Sequence, residues 1–187
     1  WKKYDPAKPY LIVADVARGD GKDNSAFHIM ELESMEVVAE YVGKPTPDDF
    51  ADILYGVASE YGSPMVVIEN NNIGYAVLKK LLDKEYHNLY HSRKGDHQYV
   101  DPLAAQWQSN VVPGFTTSSK TRPLIVAKME EFMRNKLIKI NSNRLLSEMK
   151  TFIWKAGRPQ AMRSYNDDLV MSFAIGCWVR DTVIVQS

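Results

Sequence analysis

Cysteine is nearly missing from this chain: among 187 residues there is one, Cys177, set in an apolar stretch. That excludes an internal disulfide framework and suits a reducing compartment. With one cysteine and four scattered histidines, a structural zinc site is not expected either. No apolar run approaches the roughly 20 residues needed to cross a bilayer, so no membrane partner is expected. The charged N-terminal residues lead into no signal-peptide core. The phosphate-loop pattern G-x-x-x-x-G-K-S/T occurs nowhere in the sequence, so no ATP site is expected in this chain. Net charge is absent as well, with 23 Lys and Arg against 23 Asp and Glu.

What is present begins with the placing of those charges. Residues 1–110 carry 11 basic and 17 acidic side chains, whereas residues 111–166 carry 11 basic and 3 acidic. Between Glu148 and Asp167 there is no acid, but there are Lys150, Lys155, Arg158 and Arg163. A basic segment of this kind suits a polyanionic partner, and it equally suits an ordinary solvated surface. With 45% hydrophobic residues, the length fits a single domain spanning 1–187 with a real core.

Tyr10 to Ala17 is a continuous apolar run stopped by a Gly19–Gly21 loop, the pattern of a strand buried on both faces. Ala26–Leu32 and Val37–Val42 follow at short intervals and predict an antiparallel meander. Thr46 as N-cap, Pro47 at the first helical position, and Asp48 and Asp49 behind it open a helix that stops at Gly62. Pro64–Glu69 is a second all-apolar strand, which the crossover helix places parallel to the first. A helix over Gly74–Lys84 and a strand over His87–Ser92 are predicted next. The polar stretch Arg93–Thr121 shows no sustained period and predicts a long loop. Then come a helix from Pro123, a strand over Leu137–Ile140, a helix from Asn143, a hairpin around Gly157 and Pro159, and an apolar helix opened by Asp167 and Asp168. The fold class is α/β: a mixed sheet of three antiparallel strands followed by parallel strands, flanked by helices.

Two buried strands thus end in carboxylates, Asp15 and Glu69, at the edge where open α/β sheets place ligands. Asp167-Asp168 stands at the mouth of a helix too apolar to lie anywhere but against that sheet. Acids this close repel unless a cation neutralises them, and oxygen-only donors select hard ions, Mg²⁺ or Mn²⁺. Two such ions about 3.5–4 Å apart would clamp both oxygens of an in-line phosphoryl displacement. Taken singly, Asp15 reads as a strand end and Asp167 as a helix cap; Glu69 after Val-Val-Ile is harder to place structurally. Jointly the four acids point to a metal site. For a nucleic-acid backbone, Lys120, Arg122, Lys150, Lys155, Arg158 and Arg163 are the phosphate-contact candidates. Trp107, Phe115 and Trp154 read as packing residues before stacking ones.

The segments Leu-Ile-Val-Ala-Asp15-Val-Ala-Arg-Gly19 with Asp23, Val-Val-Ile-Glu69-Asn-Asn-Asn-Ile-Gly74, Pro113-Gly-Phe-Thr-Thr117 into Lys120-Thr-Arg-Pro123, and Tyr165-Asn-Asp-Asp-Leu-Val-Met-Ser172 carry a resemblance. In their order they resemble the ribonuclease H-like nuclease domain at the C-terminus of the large terminase subunit of tailed bacteriophages. That resemblance runs from about Tyr10 to Val179. It implies a catalytic and metal-binding triad of Asp15, Glu69 and Asp168, with Asp167 assisting, and Gly19 and Asp23 belonging to the first motif. It further implies cleavage of double-stranded concatemeric viral DNA during genome packaging, with Mg²⁺ or Mn²⁺ and two ions. The expected setting is the host cytoplasm; in the full protein the partners would be an ATPase domain, the small terminase subunit and the portal. Many members differ near Arg18 and carry histidine where this chain has Asn166, which removes one potential ligand or proton carrier. Another ribonuclease H-like enzyme (a Holliday-junction resolvase or a transposase core) and a non-catalytic motor-docking module remain alternatives. Preference for branched DNA would mark the first, and association without metal-dependent cleavage the second.

Overall fold

The computed structural model describes residues 1–95 and 98–184. Strand β1 (Tyr10–Asp15) is the axis of the arrangement. Its side chains alternate between two cores, Leu11 and Val13 into one, Tyr10, Ile12 and Ala14 into the other. Burial on both faces is why the run is apolar without alternation. Strand β2 (Ser25–Glu31) pairs antiparallel with β1, and β3 (Glu36–Gly43) antiparallel with β2. Strand β4 (Met65–Ile68) lies parallel to β1 on its other side, giving the order β3-β2-β1-β4. This is the mixed sheet that the sequence predicts.

Helices cover both faces. On one side lie α1 (Pro47–Glu60) and α2 (Asn72–Asp83), closing the core with Phe50, Leu54, Val77 and Leu78. The Thr46 hydroxyl accepts the Asp49 amide at 3.2 Å and starts α1 as its sequence predicts. Asn71 does the same for α2, accepting from Ile73 and Gly74 at 3.1 and 2.7 Å. The second core lies under α6 (Asp168–Val179), in which Trp178 alone is not buried. A helix apolar all round must be central, and α4 (Thr121–Arg134) and α5 (Asn143–Lys150) pack on it from outside. Its contact with β2 is close: a Cβ on Gly176 would meet Met30 Sδ at 2.4 Å. Past Val179 the chain makes one π-helical turn, Arg180–Ile184.

Three expectations are corrected. The stretch 93–121 is not a bare loop; β5 (His91–Arg93), β6 (Tyr99–Val100) and β7 (Val111–Pro113) form a small sheet, with a four-residue helix α3 (Pro102–Ala105) between the last two. Positions 96 and 97 of that stretch fall outside the described residues. Strands of two or three residues are too short to print a period on the sequence. The strand expected over His87–Ser92 is divided: Leu89 bridges to Val66 beside β4, while His91 and Ser92 enter the small sheet. Leu137–Ile140 forms no strand. Lys139 makes a single bridge to Glu36 before Ser142 caps α5 and turns the chain away from β3. The expected hairpin is β8 (Phe152–Lys155) and β9 (Arg158–Ala161). Its two-residue turn, Ala156-Gly157, has φ of 49° and 76°, the twist-matched geometry of tight hairpins.

Candidate metal centre

Parallel pairing of β1 with β4 brings their carboxyl ends to one edge. Asp15 ends β1, and the Glu69 amide donates to the Ala14 carbonyl at 3.1 Å, so the two acids emerge side by side. Asp168, the first residue of α6 and 9% exposed, reaches the same place from the second core. All three line a cleft of about 440 Å³ together with Asp167, Asp20 and Asp23. Asn166 and Arg18 line it too.

The electrostatics are those of crowded anions. Burial holds the Asp15 carboxyl well above its usual range, and Glu69 adds to this through its charge and a shared hydrogen bond, with Asp168 and Asp167 behind it. Burial also lifts Asp168 to about 6; the Asn24 amide, at 3.3 Å from Oδ2, opposes the rise, and the charges of Asp167 and Asp23 add to it. Among the described residues no three acids already meet at one ion-holding point. The donor set nevertheless fits a hard divalent cation: oxygen only, mutually repelling, and crowded where positive charge is wanted.

The adjacent acids divide their tasks. Asp167 lines the cleft with its Oδ2 taken by the Arg122 guanidinium and the Ala161 amide. Arg122 also donates from Nε to the Pro159 carbonyl at 2.8 Å, so it ties α4, β9 and Asp167 together. Its guanidinium is thus engaged within the protein, at 15% side-chain exposure. The other cationic candidates, Lys120, Lys150, Lys155, Arg158 and Arg163, are exposed, and among the described residues none of them makes an ion pair. Arg158 and Arg122 line a second cleft that shares Glu69 with the first. Phe115 is fully buried against Tyr90, Trp107 is 84% exposed, and the Trp154 indole donates to Glu130 at 3.0 Å.

Sequence reasoning missed Glu148. Its Oε2 accepts the Leu169 and Val170 amides at 2.9 and 3.2 Å, capping α6 from α5 because Asp167, the residue in the cap position, makes no cap bond. Burial lifts its carboxyl to about 7; the Val170 amide opposes this and the charge of Asp168 adds to it. The signal available was its isolation as the last acid of a basic segment. His28 was missed too. It is fully buried, with Nδ1 3.1 Å from Ser172 Oγ and Nε2 3.1 Å from Glu40 Oε2, and Ser172 donates to the Val13 carbonyl at 2.9 Å. That chain of bonds fixes α6 to β1, β2 and β3 four residues beyond Asp168.

No family model matches the sequence. Solved structures do match the shape. The magnesium-bound large terminase nuclease of thermophilic phage G20c superposes with a TM-score of 0.72 at 19% identity, covering 95% of this chain and 84% of that one. The fold is that of terminase nuclease domains. The nuclease domain of the large terminase subunit of bacterial virus Sf6, with manganese and beta-thujaplicinol, gives 0.61 at 10% identity over 95% of this chain and 90% of its own. The human cytomegalovirus terminase nuclease domain gives 0.58 at 10% identity over 92% and 83%. Across such low identities the mixed sheet and its flanking helices persist, which is the ribonuclease H-like arrangement read from the sequence.

Proposed function

We propose that this chain is a divalent-metal-dependent endonuclease that cuts double-stranded DNA during viral genome packaging. The observation that carries the reading is the gathering of Asp15, Glu69 and Asp168, from β1, the end of β4 and the start of α6, in one cleft of a terminase-nuclease fold. Related folds have been solved with magnesium, cobalt, zinc and manganese. Asp15, Glu69 and Asp168 would hold Mg²⁺ or Mn²⁺, two ions in the full reading, with Asp167 as a further oxygen donor if Arg122 releases it. Bound there, such ions activate a water and stabilise the charge that develops on the phosphate oxygens.

The chain's own groups do the rest. The strand ends fix Asp15 and Glu69 relative to each other, since both backbones lie in one ladder. Asn24 orients the Asp168 carboxylate, and Glu148 holds the first amides of its helix. Exposed Lys120, Lys150, Lys155, Arg158 and Arg163 would attract backbone phosphate without reading bases. In the whole protein the partners would be an ATPase domain, the small terminase subunit and the portal.

Plasmid nicking tests the reading. Wild-type protein should nick supercoiled plasmid with Mg²⁺ or Mn²⁺ and not with EDTA, and Asp15→Asn, Glu69→Gln and Asp168→Asn should each lose on the order of 100-fold or more. Full activity in any of the three would remove that residue from the site, and no cleavage by the wild type would sink the function.

A further inference from the structure

The cleft that gathers the acids also holds one base. Arg18 lines it with Asp15, Asp20, Asp23, Glu69, Asp167 and Asp168, and no other Lys or Arg does so among the described residues. Asn166, in the same lining, is neutral at every pH. Arg122 touches Asp167 from the wall behind and is engaged there. The positive charge that the chain itself leaves open to this cleft is therefore that of Arg18.

Its surroundings explain why that charge is available. Arg18 is exposed, and among the described residues it makes no ion pair and no side-chain hydrogen bond, although six carboxylates line the same cleft. Arg122 shows the ordinary outcome, a guanidinium settled on a carboxylate. The backbone on either side of Arg18 is pinned. The Ala17 amide donates to the buried Ser25 Oγ at 3.0 Å, and that hydroxyl donates back to the Ala17 carbonyl at 3.3 Å. Gly19 has φ of 86° and lies so close to Pro45 that a Cβ there would stand 2.5 Å from the Pro45 carbonyl oxygen. The stem is thus fixed three residues beyond Asp15, and the side chain alone is free to swing. A planar fork of donors on a fixed stem, held by nothing internal, suits a group with several oxygens that arrives from outside. In this cleft that group is the phosphate brought to the acids.

We propose that Arg18 is a catalytic residue, its guanidinium donating to the non-bridging oxygens of the scissile phosphate as charge builds on them. This rests on the nuclease reading above. Hydrolysis adds water across one P–O ester bond: the water oxygen bonds to phosphorus, and the ester oxygen leaves with the bonding electron pair. One proton of the water ends on that leaving oxygen and the other in solvent, so a singly charged diester becomes a doubly charged monoester and an alcohol. The transition state carries the added charge on the phosphoryl oxygens, and the guanidinium, protonated throughout, meets it there. Exposed cations farther along the strand act differently, since they hold the phosphates equally well before the step and during it.

The test separates binding from rate. By fluorescence anisotropy in EDTA, Arg18→Gln should bind duplex within about 3-fold of wild type, because the contact is made in full only in the transition state. At saturating plasmid it should cut about 100-fold more slowly, the usual loss when one donor to a developing oxyanion is removed. Calorimetric Mn²⁺ binding should not weaken, since a positive charge has been taken from beside the acids. Arg18→Lys keeps the charge without the fork and should recover part of the rate, and added guanidinium ion should speed Arg18→Ala but not wild type. A wild-type rate at saturating plasmid in Arg18→Gln would overturn the proposal, whatever the affinity. So would a loss of Mn²⁺ affinity as large as the loss of rate, which would place the defect in the metal site. Absence of cleavage by wild-type protein removes the nuclease reading and this proposal with it, whereas wild-type cleavage matched by the variant removes this proposal alone.

Discussion

Glu69 and Asp168 end in the same cleft, but they are held there in opposite ways. Glu69 is fixed by main-chain contacts. Its amide joins the ladder at Ala14, and Gly74, one turn into α2, lies directly against its carbonyl. Asp168 is fixed from a distance. Asn24 binds its carboxylate, Glu148 caps its helix, Arg122 engages its neighbour Asp167, and Ser172 with His28 anchors the next turn. One acid is placed by main-chain geometry, the other by a set of bonds through side chains. The first should fail abruptly and the second by degrees.

The sharpest break of that contrast is Gly74→Ala. Its Cβ would stand 1.8 Å from the Glu69 carbonyl oxygen, and a backbone atom in a paired strand cannot step aside. Plasmid nicking should fall by about 100-fold, the usual effect of moving a catalytic group by roughly 1 Å, with a loss of stability of about 1–3 kcal/mol by calorimetry. Wild-type cleavage in this variant would mean that Glu69 is not held as described.

On the other side of the comparison, Glu148→Ala should lower cleavage by about 10-fold, as removal of a supporting group beside a metal site does, and lower stability by about 1 kcal/mol through loss of the cap. Glu148→Gln keeps an acceptor for Leu169 and Val170. It should recover stability, leaving any residual defect in metal titration to the missing charge. Equal behaviour of Ala and Gln would deny Glu148 its capping role.

The same residue gives a pH signature without metal. Burial raises the Glu148 carboxyl in the folded state from 4.5 to about 7. Between those values the native state therefore binds more protons than the unfolded one. Its contribution to stability is fullest below about 4.5 and is lost as pH rises through about 7. Melting temperatures in EDTA should therefore fall from pH 5 to pH 7.5 less steeply in Glu148→Gln than in wild type, on the order of one proton's difference in slope. Identical slopes would remove the group from the linkage. The smallest effect belongs to Asn71→Ala: about 1 kcal/mol from the lost cap of α2, with a fall in cleavage of less than about 10-fold, since Asn71 Nδ2 also donates to Glu69 Oε2 at 3.5 Å while Gly74 still sets the Glu69 backbone.

This division also marks what the amino-acid order could disclose. The placing of Asp15 and Glu69 was legible because burial of β1 and β4 on both faces writes an uninterrupted apolar run, and because Thr46-Pro47 caps α1 within one turn. The surroundings of Asp168 were not legible, since the bonds from Asn24, Arg122 and Glu148 span 144, 45 and 21 residues. No local pattern encodes a partner that far away. Arg122 illustrates the cost: as a cation in a basic segment it reads as a DNA contact, while its geometry makes it first a brace for Asp167. The small β6-β5-β7 sheet was hidden for a different reason, the brevity of its strands.

Cys177 sits on the fully enclosed face of α6, and burial raises its thiol far above the ordinary value. The native protein is therefore silent toward maleimides and other thiol reagents. A cysteine introduced at exposed Ser119 would react alone, and a fluorophore or spin label there would report strand entry and departure in real time, with no need to rebuild the core.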